Sequence, residues 1–382
     1  GGSVVEVGSG GGGGVSSDDD ENTLGGTNAG DSITSGSGIN NTCFGYNAGT
    51  AITTGDKSVA IGHEALKASE TVIGTVAIGW ESAKALTSGS YACLVGTQCG
   101  KSASSIDYTT GVGNGVLQNN SSSIYGTTAV GAAAMQWNSG NYCTAIGNTA
   151  LGAQSSNAEY NTAIGHNASR DNTTAEKCTS LGSGALYTNR TISNHTAIGY
   201  RASYSHNGTS IEPNTTVGYQ AGYSGTTTER LTAVGHQAAY SMTTAGWNSA
   251  FGYKALYSCT TTGQNTALGN LAGQYTTGTS NTLVGYKALS GTSGQTTGSN
   301  NTVIGEKAAE DSTSVSNSTI VGYRAGQDIT SATNCTVIGY NAEASSATAS
   351  NEITLGDTDI TKFRIPGIGL TATDDGISTD GV

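Results

Sequence analysis

The sequence is poor in charge, proline and methionine, and it contains no long apolar run. Charged residues make up 11% of the 382 residues, and there are 2 Pro and 2 Met. No apolar stretch is long enough to span a bilayer as a helix, and no signal peptide is visible. The net charge of −12 disfavours a nucleic-acid backbone or an anionic membrane as a partner. We therefore expect neither nucleic-acid binding nor membrane insertion.

The 7 Cys and 5 His follow no pattern that indicates disulfides or a metal site. There is no C-x-x-C, and the cysteines are odd in number. Most of them lie in or beside positions of small residues, where a free cysteine behaves as a small hydrophobic side chain. The histidines are too dispersed for a zinc ligand set. We expect no metal and no cofactor.

Residues 1–21 are rich in Gly and Asp and predict a solvated lead-in or linker. Asp18, Asp19 and Asp20 are adjacent. Three adjacent carboxylates cannot all point at one Ca²⁺ ion, and no ligand spacing follows them. We interpret them as a solvated run.

A five-residue segment recurs about twenty times and organises the rest of the chain. One copy is Asn161-Thr162-Ala163-Ile164-Gly165, and Asn265-Thr266-Ala267-Leu268-Gly269 is a close relative. We call the glycine of each copy the marker glycine. Twelve of the nineteen intervals between marker glycines are 17 residues, and the others lie between 16 and 20. A fixed period of this length indicates a repeat architecture.

Each repeat predicts one rung of a parallel β-solenoid. Thr, Val and Ile before the marker glycine favour a strand, and the glycine ends it where φ can be positive. A second segment, such as Ala65-Leu66, is expected to form another short strand before a polar turn. Residues 22–360 would then form an all-β solenoid of about 20 rungs with ~17 residues each. At about 4.8 Å per rung its length would be on the order of 90 Å.

Side chains alternate along a strand, so one face lies inside the solenoid and the other outside. The residue before the marker glycine is large and apolar in every copy, as in Phe44, Ile61 and Leu181. We expect it to fill the interior together with the Thr or Val two residues before it. The residue between these two is apolar in fifteen of twenty copies, which predicts that the outer face is covered as well.

The predicted cover is the same face of further copies around a symmetry axis, and the predicted oligomer is a homotrimer. The predicted axis residues are Ala60, Ala77, Ala145, Ala163, Ala197, Ala233, Ala250 and Ala267.

The Asn-Thr-Ala-Ile-Gly-x-x-Ala rung resembles the head repeat of trimeric autotransporter adhesins. It is equally similar to the solenoid segments of phage and algal-virus fibres, which carry runs such as residues 281–289. The similarity covers roughly residues 22–360. It implies a left-handed parallel β-roll and a trimer.

Aromatic residues recur directly after the marker glycine and would stack about 4.8 Å apart in a solenoid. An exposed row of rings can bind sugars, whereas a row that only covers the turn gains from stacking alone. The longer interval from Gly199 to Gly218 adds Tyr204, His206 and Ile211, and such insertions form surface loops that often bind ligands. The candidate glycan or receptor contacts are Tyr46, Trp80, Tyr200, Tyr204, His206, Tyr219, Tyr253 and Tyr286.

Glu64 and Glu81 occupy equivalent positions on neighbouring rungs. Retaining glycosidases need two carboxyl groups about 5 Å apart. Lys67 and Lys84 lie nearby and are expected to neutralise both carboxylates, and no deep cleft is implied. We expect no catalytic residue and no enzymatic activity.

After Gly356 the pattern changes. Residues 362–365 alternate polar and apolar, and Pro366-Gly367 predicts a turn. Residues 361–382 are interpreted as a cap or neck, or as the start of a shaft. They show no heptad pattern, which departs from the adhesin family, where a coiled-coil stalk usually follows the neck.

These features predict a structural and adhesive fibre segment on the surface of a phage or virus particle. Its partners would be a host receptor or glycan and other fibre or virion proteins. The alternative is the head of a bacterial trimeric autotransporter adhesin on the bacterial outer surface. An ice-binding solenoid is less favoured, because the strand threonines are expected to face inward. A glycan-cleaving spike depends on Glu64 and Glu81 alone.

Overall fold

The structure, a computed structural model, describes residues 15–120, 122–137, 140–152, 158–208, 213–291, 296–365, 370–373 and 376–379. Ile211 and the turn predicted at Pro366-Gly367 lie outside these residues. The chain divides into two compact units, Gly1–Gln220 and Ala221–Val382. No helix long and apolar enough to cross a membrane occurs among the described residues.

The fold is an all-β parallel solenoid of about 19 turns with ~17 residues per turn, which confirms the predicted fold class. The strands of the first unit are β1 Val15–Ser17, β2 Thr23–Gly25, β3 Thr42–Phe44, β4 Val59–Ile61, β5 Val76–Ile78, β6 Cys93–Val95, β7 Ser105–Asp107, β8 Thr110–Val112, β9 Ser123–Tyr125, β10 Thr128–Val130, β11 Thr144–Ile146, β12 Thr162–Ile164, β13 Thr179–Leu181, β14 Thr196–Ile198 and β15 Thr215–Val217. Those of the second unit are β16 Thr232–Val234, β17 Ser249–Phe251, β18 Thr266–Leu268, β19 Thr282–Val284, β20 Thr302–Ile304, β21 Thr319–Val321, β22 Thr336–Ile338, β23 Ile353–Leu355, β24 Lys362–Ile365, β25 Leu370–Thr373 and β26 Gly376–Thr379.

Successive rungs pair in parallel and in register, so equivalent residues of the repeat stack on one another. Thr162 of β12 pairs with Thr144 of β11, and Ile164 pairs with Ile146. The marker glycine is needed at the end of each strand. Gly165 has a φ of 136°, and a Cβ there would lie 2.6 Å from the carbonyl oxygen of Gly182 on the next rung.

The prediction of which strand face lies inside the solenoid is wrong: the structure has the two faces the other way round. In β12, Ala163 is fully buried, whereas Thr162 and Ile164 on either side of it are half-buried. The large residues before the marker glycine lie outside, and Leu181 and Leu268 are 43% and 52% exposed. The enclosed position accepts side chains of different size, since Leu94, Leu283 and Ile320 are as fully buried there as Ala163.

The alanines predicted to line a symmetry axis are therefore interior residues of a single chain. Each of them has no exposed surface: Ala60, Ala77, Ala145, Ala163, Ala197, Ala233, Ala250 and Ala267. They cannot form a contact between copies. The strand threonines, predicted to face inward, share the outer face with the large apolar residues.

The second segment of the rung is a chain of turns and not the predicted strand. Glu64 and Leu66 have φ values of 57° and 49°, in the left-handed region, where a residue with a Cβ loses about 1–2 kcal/mol. Hydrogen bonds between rungs offset this cost. The backbone N–H of Glu64 donates to Tyr46 on the preceding rung, and that of Leu66 donates to Ser82 on the following one.

The asparagine of the repeat forms a buried ladder inside one corner. Nδ2 of Asn41 donates to the carbonyl of Gly55 (2.8 Å), and its Oδ1 accepts from the backbone N–H of Ser58 on the next rung (3.0 Å). This satisfies backbone groups that would be costly to bury unpaired. The same pattern occurs at Asn22, Asn161, Asn248, Asn265, Asn281 and Asn301.

The elements at the two ends of the described chain depart from the solenoid. Val15–Ser17, within the predicted lead-in, pairs antiparallel with β2. Strands β24, β25 and β26 form an antiparallel three-stranded sheet. The pattern change that the sequence places after Gly356 thus coincides with a change of architecture.

Candidate functional site

The aromatic residues after the marker glycines form an exposed row in each unit, which we call the aromatic row. In the first unit, Tyr46 stacks on His63 with ring centroids 5.2 Å apart, and Tyr200 stacks on Tyr219 at 5.4 Å. In the second unit, Tyr253 stacks on His236 at 5.2 Å. The exposed candidates of this row are Tyr46, Trp80, Tyr200, Tyr219, Tyr253 and Tyr286. Each of these residues is 41–49% exposed, and a neighbouring ring packs on Tyr46, Tyr200, Tyr219 and Tyr253.

His206, predicted as a surface contact, is buried instead. It is 1% exposed and lies 4.6 Å from the ring of His195, which has no exposed surface. His195 replaces the asparagine of the corner ladder, and its Nε2 lies 3.4 Å from Oγ of Ser203. Burial, and secondarily the neighbouring His206, holds the pKa of His195 well below 6.5. The pair is an internal polar cluster and cannot contact a receptor.

Tyr204 does lie at the surface, where it stacks on Tyr187 at 4.8 Å. The guanidinium of Arg201 lies 5.1 Å from the ring centroids of both Tyr204 and Tyr200. Arg170 donates a hydrogen bond to the hydroxyl of Tyr187. Aromatic and guanidinium groups therefore cluster on this part of the first unit.

The surface at Ser183 contains a cavity of about 320 Å³, which we call the Ser183 slot. His166 and Tyr200 line it, and Ser183 lies on the rung between them. Gly184 follows Ser183 at a position where the adjacent rungs carry Asn167 and Arg201. The slot therefore lies where two successive positions of one rung carry small residues, while the rungs on either side carry large ones at the same positions.

A second ladder of rings was missed by the sequence reasoning. Tyr91, Tyr108, Tyr125, Tyr142 and Tyr160 follow one another with centroids 5.1–5.4 Å apart. All five rings are exposed. Their sequence spacing of 17 or 18 residues matches the repeat and could have identified the ladder.

Glu64 and Glu81 are neutralised as expected. Nζ of Lys84 lies 2.6 Å from Glu64 and 2.7 Å from Glu81, while Lys67 and Lys101 each bind one of the two carboxylates. Hydrogen bonds from Lys67 and Lys84 lower the pKa of Glu64 to about 2, and those from Lys101 and Lys84 lower that of Glu81 to about 2. Both groups are therefore ionised near neutral pH, whereas the acid of a glycosidase must be protonated to donate its proton.

The cysteines are all free, and six of the seven are buried. Cys143, Cys178 and Cys335 occupy the corner position of the asparagine ladder, and their Sγ atoms lie 3.2–3.4 Å from backbone carbonyl oxygens as the asparagine amides do. Burial raises the pKa of the Cys43 thiol to about 12. These cysteines are packing residues.

The acidic residues near the start of the first unit hold backbone in place. Asp18 accepts hydrogen bonds from the backbone and side-chain nitrogens of Asn22 (both 2.9 Å), and Asp20 accepts one from Gly36 (2.9 Å). In the part of the chain that the structure describes, no cluster of three or more His, Cys, Asp or Glu is arranged to hold a metal ion.

Comparison of the chain with protein-family models, with curated protein sequences and with solved structures returns no match.

Proposed function

We propose that this protein is a structural and adhesive fibre segment that acts as a homotrimer on the surface of a virus particle. The observation that carries the proposal is the apolar stripe on the outer face of the strands, formed by the residues before the marker glycines. In the second unit its members are Val234, Phe251, Leu268, Val284, Ile304, Val321, Ile338 and Leu355.

The stripe is continuous along a unit and remains partly open to solvent in the single chain. Ile304 and Ile338 are 38% and 40% exposed. Contiguous exposed apolar surface of this kind marks an interaction site. Equivalent residues repeat at every rung, so a second copy of the same stripe matches it in spacing and chemistry.

The energy available favours a long interface. Burying a whole Val, Leu or Ile side chain contributes about 1.5–3 kcal/mol, so covering the exposed part of one contributes about 1 kcal/mol. Association costs about 4–15 kcal/mol because the chains lose translational and rotational freedom. One or two rungs are insufficient, whereas the stripe of a whole unit outweighs the cost. The resemblance to trimeric fibres and adhesin heads supports the number three.

The exposed aromatic rows support the adhesive role. Each copy carries several candidate contacts on repeating rungs, and three copies multiply them. Linked weak sites can bind 10² to 10⁴ times more tightly than one site. The antiparallel sheet of β24–β26 supports the virus fibre over the bacterial adhesin head, whose neck usually leads into a coiled coil. No step of the proposal is catalytic.

A cell-binding assay tests the adhesive role. Fluorescently labelled protein should bind receptor-bearing cells, and the monomeric variant Leu268→Asp should bind them at least a hundredfold more weakly through loss of avidity. Equal binding by the variant would contradict a multivalent mechanism.

The outward threonines favour ice binding as a second candidate function. Thr266, Thr282 and Thr302 stack in register on β18–β20; the first two are exposed and Thr302 is half-buried. This candidate needs the outer face free in a monomer, whereas the fibre proposal needs it covered. Thermal hysteresis of a monomeric sample would support ice binding; its absence would exclude it.

A further inference from the structure

The aromatic row of the first unit lacks a ring at Ser183. The backbone N–H of Gly184 donates to His166 (2.9 Å) and that of Arg201 donates to Ser183 (3.0 Å), so His166, Ser183 and Tyr200 lie on three consecutive rungs. At about 4.8 Å per rung, the His166 and Tyr200 positions are about 10 Å apart. Where two successive rungs of the row both carry a ring, the ring centroids lie 5.2–5.4 Å apart. A ring bound in the Ser183 slot would therefore contact an aromatic ring on both sides.

The inner wall of the slot is kept open by Gly184. A Cβ at this position would come within 3.3 Å of Cγ of Arg201 and 3.4 Å of the Tyr204 ring. Hydroxyl and amide groups of Ser183 and Asn167 border the same cavity. Two stacking surfaces with polar groups at their edges are the arrangement that binds a sugar ring, which is apolar on its faces and polar around its rim.

A positive charge borders the slot. The Arg201 guanidinium packs on Tyr200 and Tyr204, and no carboxylate among the described residues forms an ion pair with it. The chain as a whole carries a net charge of −12. A guanidinium held in place without a carboxylate is suited to bind one on a ligand.

We propose that the Ser183 slot binds a hexuronic acid pyranose with all-equatorial substituents, as part of a surface glycan. Such a ring has axial C–H groups on both faces, so both faces can pack against the His166 and Tyr200 rings. A chair-shaped pyranose is also thicker than a flat aromatic ligand and fills a gap of two rung spacings better. Its carboxylate accepts hydrogen bonds from Arg201. This inference deepens the proposed adhesive function and rests on it.

Saturation-transfer NMR of the full chain with methyl β-D-glucuronide, and with methyl β-D-glucoside as the neutral counterpart, tests the proposal. Ser183→Tyr places a ring between His166 and Tyr200 and should reduce the glucuronide signal at least fivefold. Asn270→Tyr is the matched control: Asn270 also lies between two tyrosines, Tyr253 and Tyr286, but Leu271 follows it where Gly184 follows Ser183, so no open slot is expected there and the signal should be unchanged. Arg201→Met should reduce the glucuronide signal to that of the glucoside.

Gly184→Gln gives a second way to fill the slot if Ser183→Tyr does not fold, since Gln220 and Gln237 occupy the equivalent position with a similar φ. Absence of saturation for the wild type, or equal signals from the wild type and the filled variants, would overturn the proposal. Equal signals from the two sugars would overturn the role of Arg201. The native mass of the same samples separates the hypotheses: a trimer that binds no sugar refutes the slot alone, and a monomer that binds it refutes the trimer alone.

Discussion

The same substitution at two adjacent residues of β18 is expected to disrupt association at one position and folding at the other. Leu268 is 52% exposed on the outer stripe, and Ala267 next to it has no exposed surface. We propose that Leu268 faces other copies, whereas Ala267 faces the interior of its own chain. Aspartate at each position therefore tests oligomerisation at one residue and folding at the other.

Leu268→Asp should yield a folded monomer. In an isolated chain the new carboxylate is at the surface, where substitutions change the free energy of unfolding by about 0.5 kcal/mol or less. In the oligomer it would be an unpaired charge in an apolar interface, which costs about 4 kcal/mol per chain. That cost lowers the association constant roughly a thousandfold for each chain. Light scattering reports the mass, and circular dichroism reports the fold.

Ala267→Asp should fail to fold. The side chain lies between Ala250 and Leu283 of the neighbouring rungs, where a carboxylate would be buried without a partner and would cost several kcal/mol. The reasoning is refuted if Ala267→Asp gives a folded monomer while Leu268→Asp remains an oligomer, because that result would place the alanines on the axis.

Three further predictions concern charge and thiols. Lys84→Met removes the bridge between Glu64 and Glu81 and should lower the free energy of unfolding by about 1 kcal/mol at pH 7. Because both carboxyl pKa values are lowered to about 2 in the folded chain, this stabilisation is present above about pH 4.5 and is lost as the pH falls towards 2. The difference between variant and wild type in thermal melts should shrink over that range. His195→Asn should raise the melting temperature at pH 5 relative to the wild type. Burial keeps His195 neutral in the folded chain, so the wild-type fold loses stability as the pH falls below 6.5 and the unfolded chain takes up the proton. Iodoacetamide should modify Cys93 alone in the folded chain, since the six other thiols are buried, and all seven in denaturant, as counted by mass spectrometry.

A matched control distinguishes the effect of Lys84→Met from general perturbation. Lys177→Met removes an exposed lysine 3.9 Å from Glu176 and should change the melting temperature little at any pH. A flat pH profile for the wild type, or rapid modification of a buried cysteine, would contradict the corresponding prediction.

The period of the repeat was sufficient to predict the fold and its register. Intervals of 17 residues place Thr144 beside Thr162 and Ile146 beside Ile164, as the structure has them. The same period predicts the ladder from Tyr91 to Tyr160, whose residues lie at a different position of the repeat from those after the marker glycines.

The assignment of inside and outside could not be made from alternation alone. Alternation shows that Ala163 and Ile164 face opposite ways, but not which of them is enclosed. The enclosed position is apolar in fifteen of twenty copies and holds side chains as different in size as Ala163 and Ile320, whereas the outer face pairs each large apolar residue with a threonine in most copies. His206 was misplaced for a related reason. Its position in a longer interval indicated a surface loop, whereas its ring lies against His195 in the interior.

The native mass in solution tests the central claim most directly. The apolar stripe predicts a particle of about three times the chain mass of 38.1 kDa, stable on dilution into the low micromolar range and converted to single chains by Leu268→Asp. A folded wild-type monomer at all concentrations would contradict the claim and would leave the outer face of threonine and large apolar residues free for another ligand.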